Sequence, residues 1–298
     1  MASTTKDAYY IPHTAQWPIV GSIGLTTLLA GFANYLNGAT YGSTMMIVGV
    51  GIIVTMLFGW FGTVIAESEN GSFSGQVDVS FRLGMMWFIF SEVMFFAAFF
   101  GSLYYVRDLS QSWLAGSQDF SMGATKLLWE GFTGVWPNNG PGHVGGHEDG
   151  TFEPMAAWGL PALNTLILLS SGVTVTWAHW AFNKETGEIN RPQLIKGLIA
   201  TVLLGFLFVG LQATEYHEAY SEMGLTLGTG IYGSTFFMLT GFHGLHVTIG
   251  AIFLTVVLFR SIRGHFSAKH HFAFEAAAWY WHFVDVVWLG LFIFVYWL

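Results

Sequence analysis

A chain of 298 residues that is 53% hydrophobic and 9% charged, with a mean hydropathy of +0.53, cannot cover a water-exposed surface. Soluble domains carry about 25% charged residues. The formal net charge of −8 and the absence of cysteine narrow the chemistry further: disulfides, covalent c-type haem, thiolate copper centres and cysteine-ligated iron–sulfur clusters are all excluded.

The N-terminal segment "MASTTKDAYYIPH" is polar. It has neither the apolar core nor the cleavage site of a signal peptide, so the first apolar stretch is expected to stay as a helix. Seven mainly apolar stretches follow, near 18–36, 43–66, 83–106, 156–182, 194–216, 230–259 and 275–297. Each reaches the roughly 20 residues that span a bilayer. Without a period-two alternation they predict helices, not barrel strands. The fold class expected is therefore all-α, a polytopic membrane protein with seven transmembrane helices. "ESENGSFSGQVDVSF" divides it into an N-terminal segment and two-helix hairpin, 1–80, and a five-helix bundle, 81–298. An outer connection at about 107–155 contains "VWPNNGPGHVGGHEDG", whose Gly, Pro and Asn content predicts irregular structure. Small residues at Gly21 and Gly24, and at Gly241, Gly244 and Gly250, suit close helix packing.

Basic residues orient the chain. With the N-terminus inside, Lys6, Arg82, Lys184, Arg191, Lys196, Arg260, Arg263 and Lys269 are inner, and only Arg107 and Lys126 are outer. The outer side carries acids such as Glu130, Glu148, Asp149, Glu153, Glu218 and Glu222.

Ionisable groups inside the membrane are functional candidates because they are costly to bury. In "MMWFIFSEVMFFAAFF" the sole ionisable side chain is Glu92. Desolvation favours a neutral, hydrogen-bonded acid there, either a proton site or a structural acid. "GFHGLHV" puts His243 and His246 on one face of the sixth helix, while His179, His217 and His282 sit near or within others. Nothing in their spacing fixes a facing pair of haem ligands or a metal ligand set. Packed, hydrogen-bonded histidines are the expectation, with no metal site. Glu275, His282 and Asp285 fall on the last helix, the latter two one turn apart and able to pair. Trp279, Tyr280 and Trp281 at one end and Tyr296 and Trp297 at the other suit interface belts, and structural packing alone explains them as well. "FRSIRGHFSAKHH" forms a basic inner rim suited to anionic lipid headgroups or to ordinary positive-inside topology. "GTGIYG" matches a dinucleotide fingerprint, but it opens a membrane helix and not a strand–turn–helix.

The stretches "FIFSEVMFFAAFF", "LLSSGVTVTWAH", "LQATEYHEA", "YGSTFFMLTGFHGLHVTIG" and "HHFAFEAAAWYWHFVDVVWL" together resemble subunit III of the haem–copper oxidases, the cytochrome c oxidase type. They occur in that family's order over roughly residues 80 to 298. The resemblance implies a two-helix hairpin splayed from the five-helix bundle around a lipid-filled cleft. It implies a non-catalytic subunit with no redox centre of its own, with haem a and copper held by subunits I and II. Glu92 matches the family's buried third-helix carboxylate, associated with proton uptake. Arg260, Arg263 and His265 match its lipid-headgroup positions, and Trp60 stands in the corresponding part of the second helix. The partners implied are subunits I and II, phospholipids and the membrane, with no nucleic acid. The compartment expected is a bacterial cytoplasmic membrane before a mitochondrial inner one, with the C-terminus outside. The sequence departs from the family at Trp60-Phe61-Gly62-Thr63, where Trp-Trp-Arg-Asp is common, and at "GSFSG", where a His-His pair is common. The outer loop reads Trp136-Pro137-Asn138 in place of Trp-Pro-Pro and is extended. Three other readings stand beside this one: subunit III of a quinol oxidase, an independent proton channel or transporter using Glu92, Asp285 and His282, and a haem-bearing electron-transfer subunit.

Overall fold

The computed structural model describes residue 10 and residues 15–116, 128–183 and 185–298. Among these, seven helices are long and apolar enough to cross a membrane, and no strand forms. They are α1 (Trp17–Leu36), α2 (Gly42–Glu69), α3 (Gly75–Tyr104), α4 (Leu160–His179), α5 (Arg191–Ser221), α6 (Gly230–Arg263) and α7 (Phe272–Leu291). The protein is thus all-α and polytopic. Lys6, Lys126 and Lys184, on which part of the inside–outside assignment rests, lie outside the described residues.

Two compact units divide the chain, Met1–Leu83 and Gly84–Leu298. In the first, α1 packs antiparallel on α2 through glycines two helical turns apart, Gly24 and Gly31 on one helix, Gly42 and Gly49 on the other. A Cβ at Gly31 would lie 2.7 Å from the Met46 backbone nitrogen, and one at Gly49 2.5 Å from that of Leu28. Without side chains at these points the two backbones come into contact, which matters in lipid because dispersion must replace the hydrophobic drive.

The third helix is longer than its apolar stretch. It starts eight residues early, in "GQVDVSFR", where Arg82 and Asp78 pair one turn apart at 2.8 Å. It then runs through a π-helical turn, Tyr105–Ser110, to Leu114.

In the second unit both α5 and α7 pack against α4 and α6. Two α7 tryptophans tie that helix to α4. Both, Trp281 and Trp288, are fully buried. Their indole N–H groups donate to α4, Trp281 to Ser171 Oγ at 2.8 Å and Trp288 to Thr165 Oγ1 at 2.9 Å. Burying so large a ring requires a partner for its N–H, and α4 supplies both. The Trp281 ring lies so close to Gly205 of α5 and Gly250 of α6 that a Cβ would approach within 2.7 and 2.9 Å. This corrects the belt expectation for α7: Tyr280, Trp281 and Tyr296 are core residues, and Trp297 is exposed. Periodic aromatics at helix ends fit either role, and the packing of three other helices decides it.

The C-terminus of α6 places the basic rim. Gly264 adopts a left-handed conformation, φ 79°, and the amide of His265 donates to the Arg260 carbonyl at 3.1 Å. Arg260 and Arg263 occupy the last turn, where cations complement the exposed carbonyls.

Candidate functional site

Glu92 of α3 does not stand among apolar side chains alone. Its Oε2 lies 2.8 Å from Nε2 of His246 on α6, with 21% of the Glu92 side chain and 11% of the imidazole exposed. Phe96 packs edge-on to the imidazole at 5.1 Å, and Tyr280 stacks near it at 6.4 Å. The other ring nitrogen, Nδ1, lies 2.6 Å from the Phe242 carbonyl.

That last contact fixes the proton count. A carbonyl can only accept, so His246 Nδ1 must carry a hydrogen. The Nε2–Oε2 contact then needs one more proton, held by the imidazole or by the carboxyl. Without it a lone pair would face a carboxylate. The Nε2–Oε2 contact therefore holds a single shared proton, and losing it breaks the link from α3 to α6.

His243, three residues earlier, turns to a different neighbour. Its Nε2 donates to the Val284 carbonyl of α7 at 3.2 Å, and its ring is packed by Phe208 and Trp288 at centroid distances of 5.7 and 5.1 Å. His282 lies 3.3 Å from Asp285 Oδ2 through Nδ1 and 3.1 Å from Thr176 Oγ1 through Nε2. Hydrogen bonding therefore occupies the Nε2 of His243, His246 and His282.

Glu275 is buried at the start of α7, with Oε1 3.1 Å from His271 Nε2 and 3.9 Å from His179 Nε2. Of the rim residues, Arg260 lies over the Phe266 ring at 4.8 Å, Arg263 is exposed and His265 is half-buried. Trp60 belongs to the other unit, where it is exposed and stacks on Phe61 at 5.8 Å.

A further buried acid lies beyond the residues singled out by sequence. Glu215 is fully buried on α5; its Oε1 accepts from Tyr296 at 2.6 Å and from Gln212 at 3.3 Å. Among the described residues its Oε2 has no partner. Its signal was a carboxylate in "LQATEYHEA", hidden by the neighbouring exposed acids Glu218 and Glu222.

The sequence matches the family described as cytochrome c oxidase subunit III over residues 7–127 and 145–298. The unmatched stretch falls within the extended outer connection. Similar proteins include cytochrome c oxidase subunit 3 of Marchantia polymorpha, 42% identical, covering 100% of this chain and 98% of the relative. That of Carassius auratus is 41% identical over 97% of both chains. That of Triticum aestivum is 40% identical over 100% of this chain and 98% of the relative. All three carry the cytochrome c name, so the quinol-oxidase alternative gains nothing from them.

Proposed function

This chain belongs to the cytochrome c oxidase subunit III family, and from that premise we propose that it is a redox-free accessory subunit supporting proton uptake and durable turnover of a proton-pumping oxidase. The observation that carries the proton-side role is the one-proton link between Glu92 and His246. A pair that must hold a proton to keep its bond can release it only by loosening α3 from α6. It thus couples protonation to packing at a half-buried position.

The engaged histidine nitrogens support the absence of a haem in this chain. In this reading haem a and copper belong to catalytic subunit I and to subunit II, against which the chain packs, and no active site lies within it. The lipid role rests on Arg260, Arg263 and His265, clustered at the end of α6 around the Gly264 turn; Trp60, on α2 of the other unit, is a separate lipid-contact candidate. Phospholipid phosphates suit such a basic, membrane-edge cluster.

The membrane is a respiratory one, with the N-terminus on the basic side and the C-terminus opposite. The sequence reading favours a bacterial cytoplasmic membrane over a mitochondrial inner membrane, whereas the relatives named above come from eukaryotes. Fractionation of the source cells, with protease accessibility of tagged termini, decides both points.

The functional test is Glu92→Gln in the complex purified from its native membrane. Subunit composition and haem content are expected to stay unchanged, while proton uptake or the lifetime of turnover falls. Unchanged pumping and lifetime from mildly acid to alkaline pH would refute the proton-side role. Haem retained on the separated chain would refute the redox-free assignment.

A further inference from the structure

Where α4 ends and α7 begins, three side chains from two separate parts of the sequence converge. His179 closes α4, His271 immediately precedes α7, and Glu275 stands one turn into it. Their donor atoms all lie within 4.8 Å of one another. We propose that His179, His271 and Glu275 form a binding site for a divalent transition-metal ion of the zinc class, separate from the Glu92–His246 pair.

The geometry of His271 is that of a positioned ligand. Its Nδ1 faces the Ser267 carbonyl at 3.1 Å, which fixes a ring proton on Nδ1 and aims Nε2 at Glu275 Oε1, 3.1 Å away, a contact that needs either a proton or a cation between the two atoms. Phe182 stacks flat on the ring, with centroids 4.1 Å apart and planes 5° from parallel, so the imidazole plane is held as well. Both His271 and Glu275 are buried, at 1% and 4% side-chain exposure, while His179 is 37% exposed. Two donors are therefore set in the protein and the third stands at the surface, where an ion can enter.

Distances and donor chemistry agree. Zinc sits about 2.0–2.2 Å from imidazole nitrogen and carboxylate oxygen in tetrahedral sites, which puts donor atoms about 3.3 Å apart. His271 and Glu275 already meet that separation at 3.1 Å, while His179, 3.9 Å from Glu275 and within 4.8 Å of His271, turns inward to close the set. Two imidazoles and one carboxylate suit zinc better than magnesium or calcium, which prefer oxygen, and leave a fourth position for water. The sequence alone gives only the His271–Glu275 spacing; His179 arrives through the packing of α4 on α7. This departs from the expectation of no metal site, and it does not rest on the oxidase reading.

The test compares wild-type complex with His179→Ala and Glu275→Gln, each stripped with chelator and equilibrated with zinc chloride. Metal content per complex is read by mass spectrometry, ligation by X-ray absorption at the zinc edge, and access to His179 by carbethoxylation mapped to this chain's peptides. Expected are one zinc more in wild type than in either variant, an edge spectrum showing two imidazoles, and protection of His179 when zinc is present. Variant affinity should fall by more than the roughly 10–100-fold typical of losing an outer-shell partner. Equal zinc in wild type and both variants would overturn the site and point to adventitious binding at exposed histidines such as His270. Unchanged carbethoxylation of His179 in the wild-type complex, which needs no variant to fold, would overturn it independently.

Discussion

Glu92→Gln probes the link between α3 and α6 in energetic terms. In the wild-type chain, Oε2 and His246 Nε2 share a proton at 2.8 Å while Phe242 holds Nδ1. Hydrogen bonds to charged groups contribute about 1.5–3 kcal/mol, and neutral ones about 0.5–1.5 kcal/mol. A glutamine keeps the shape and one neutral bond, so the substitution is expected to cost about 1 kcal/mol. Glu92→Ala also strands the imidazole nitrogen at a largely covered site, which raises the cost to about 1–3 kcal/mol. The assay is unfolding in mixed detergent micelles, followed by helical circular dichroism, for wild type, Glu92→Ala, His246→Gln and the double variant. A direct interaction predicts a coupling energy of about 0.5–3 kcal/mol. Additivity within about 0.3–0.5 kcal/mol, as for independent sites, would refute the shared-proton argument.

Three further outcomes follow from the packing. Gly49→Val drives a side chain into the Leu28 backbone, 2.5 Å from its nitrogen. It should destabilise the α1–α2 hairpin by about 1–3 kcal/mol or more, read as a lower detergent-unfolding midpoint. Tyr296→Phe removes the 2.6 Å bond to Glu215 Oε1 and is expected to cost about 1–3 kcal/mol, with an unchanged midpoint as the contrary result. In the outer connection, Thr151 donates from Oγ1 at 2.6 Å and from its amide at 3.0 Å to Asp149 Oδ1. These bonds hold the Asp149 carboxyl below its ordinary 3.8. Because the folded value is the lower one, the turn's contribution is present above the ordinary carboxylate range and lost as pH falls through the folded value. Protection of the Thr151 amide, its exchange rate compared with that of an unstructured amide at the same pH, should fall over that acid window, and Asp149→Asn should abolish the pH dependence of that protection.

The membrane-spanning architecture was legible because it depends on local composition. Uninterrupted apolar stretches satisfy their backbone only as helices in lipid, so seven spans could be read without knowing which helix touches which. Their ends were less legible. The early start of α3 rests on a local Arg82–Asp78 pair within polar sequence, which an apolar window does not register. The Gly24 contribution to close packing was visible as a small residue, yet its partners across α2 were not.

Partnership between side chains far apart in sequence was decided by tertiary structure. Glu92 could be identified as an expensive group, but only the packing of α3 on α6 brings it His246, and only the Phe242 carbonyl sets the proton count. Trp281 carried the composition of an interface residue until Ser171, Gly205 and Gly250 enclosed it. Glu215 was one acid among several until Tyr296 arrived from the far end of the chain. The sequence by itself determined the solvent, the helices and the inventory of costly groups, since each follows from residue type and short-range spacing. Hydrogen bonding and metal ligation act over about 3 Å, so which of those groups share a proton, and which could share an ion, waited on the fold.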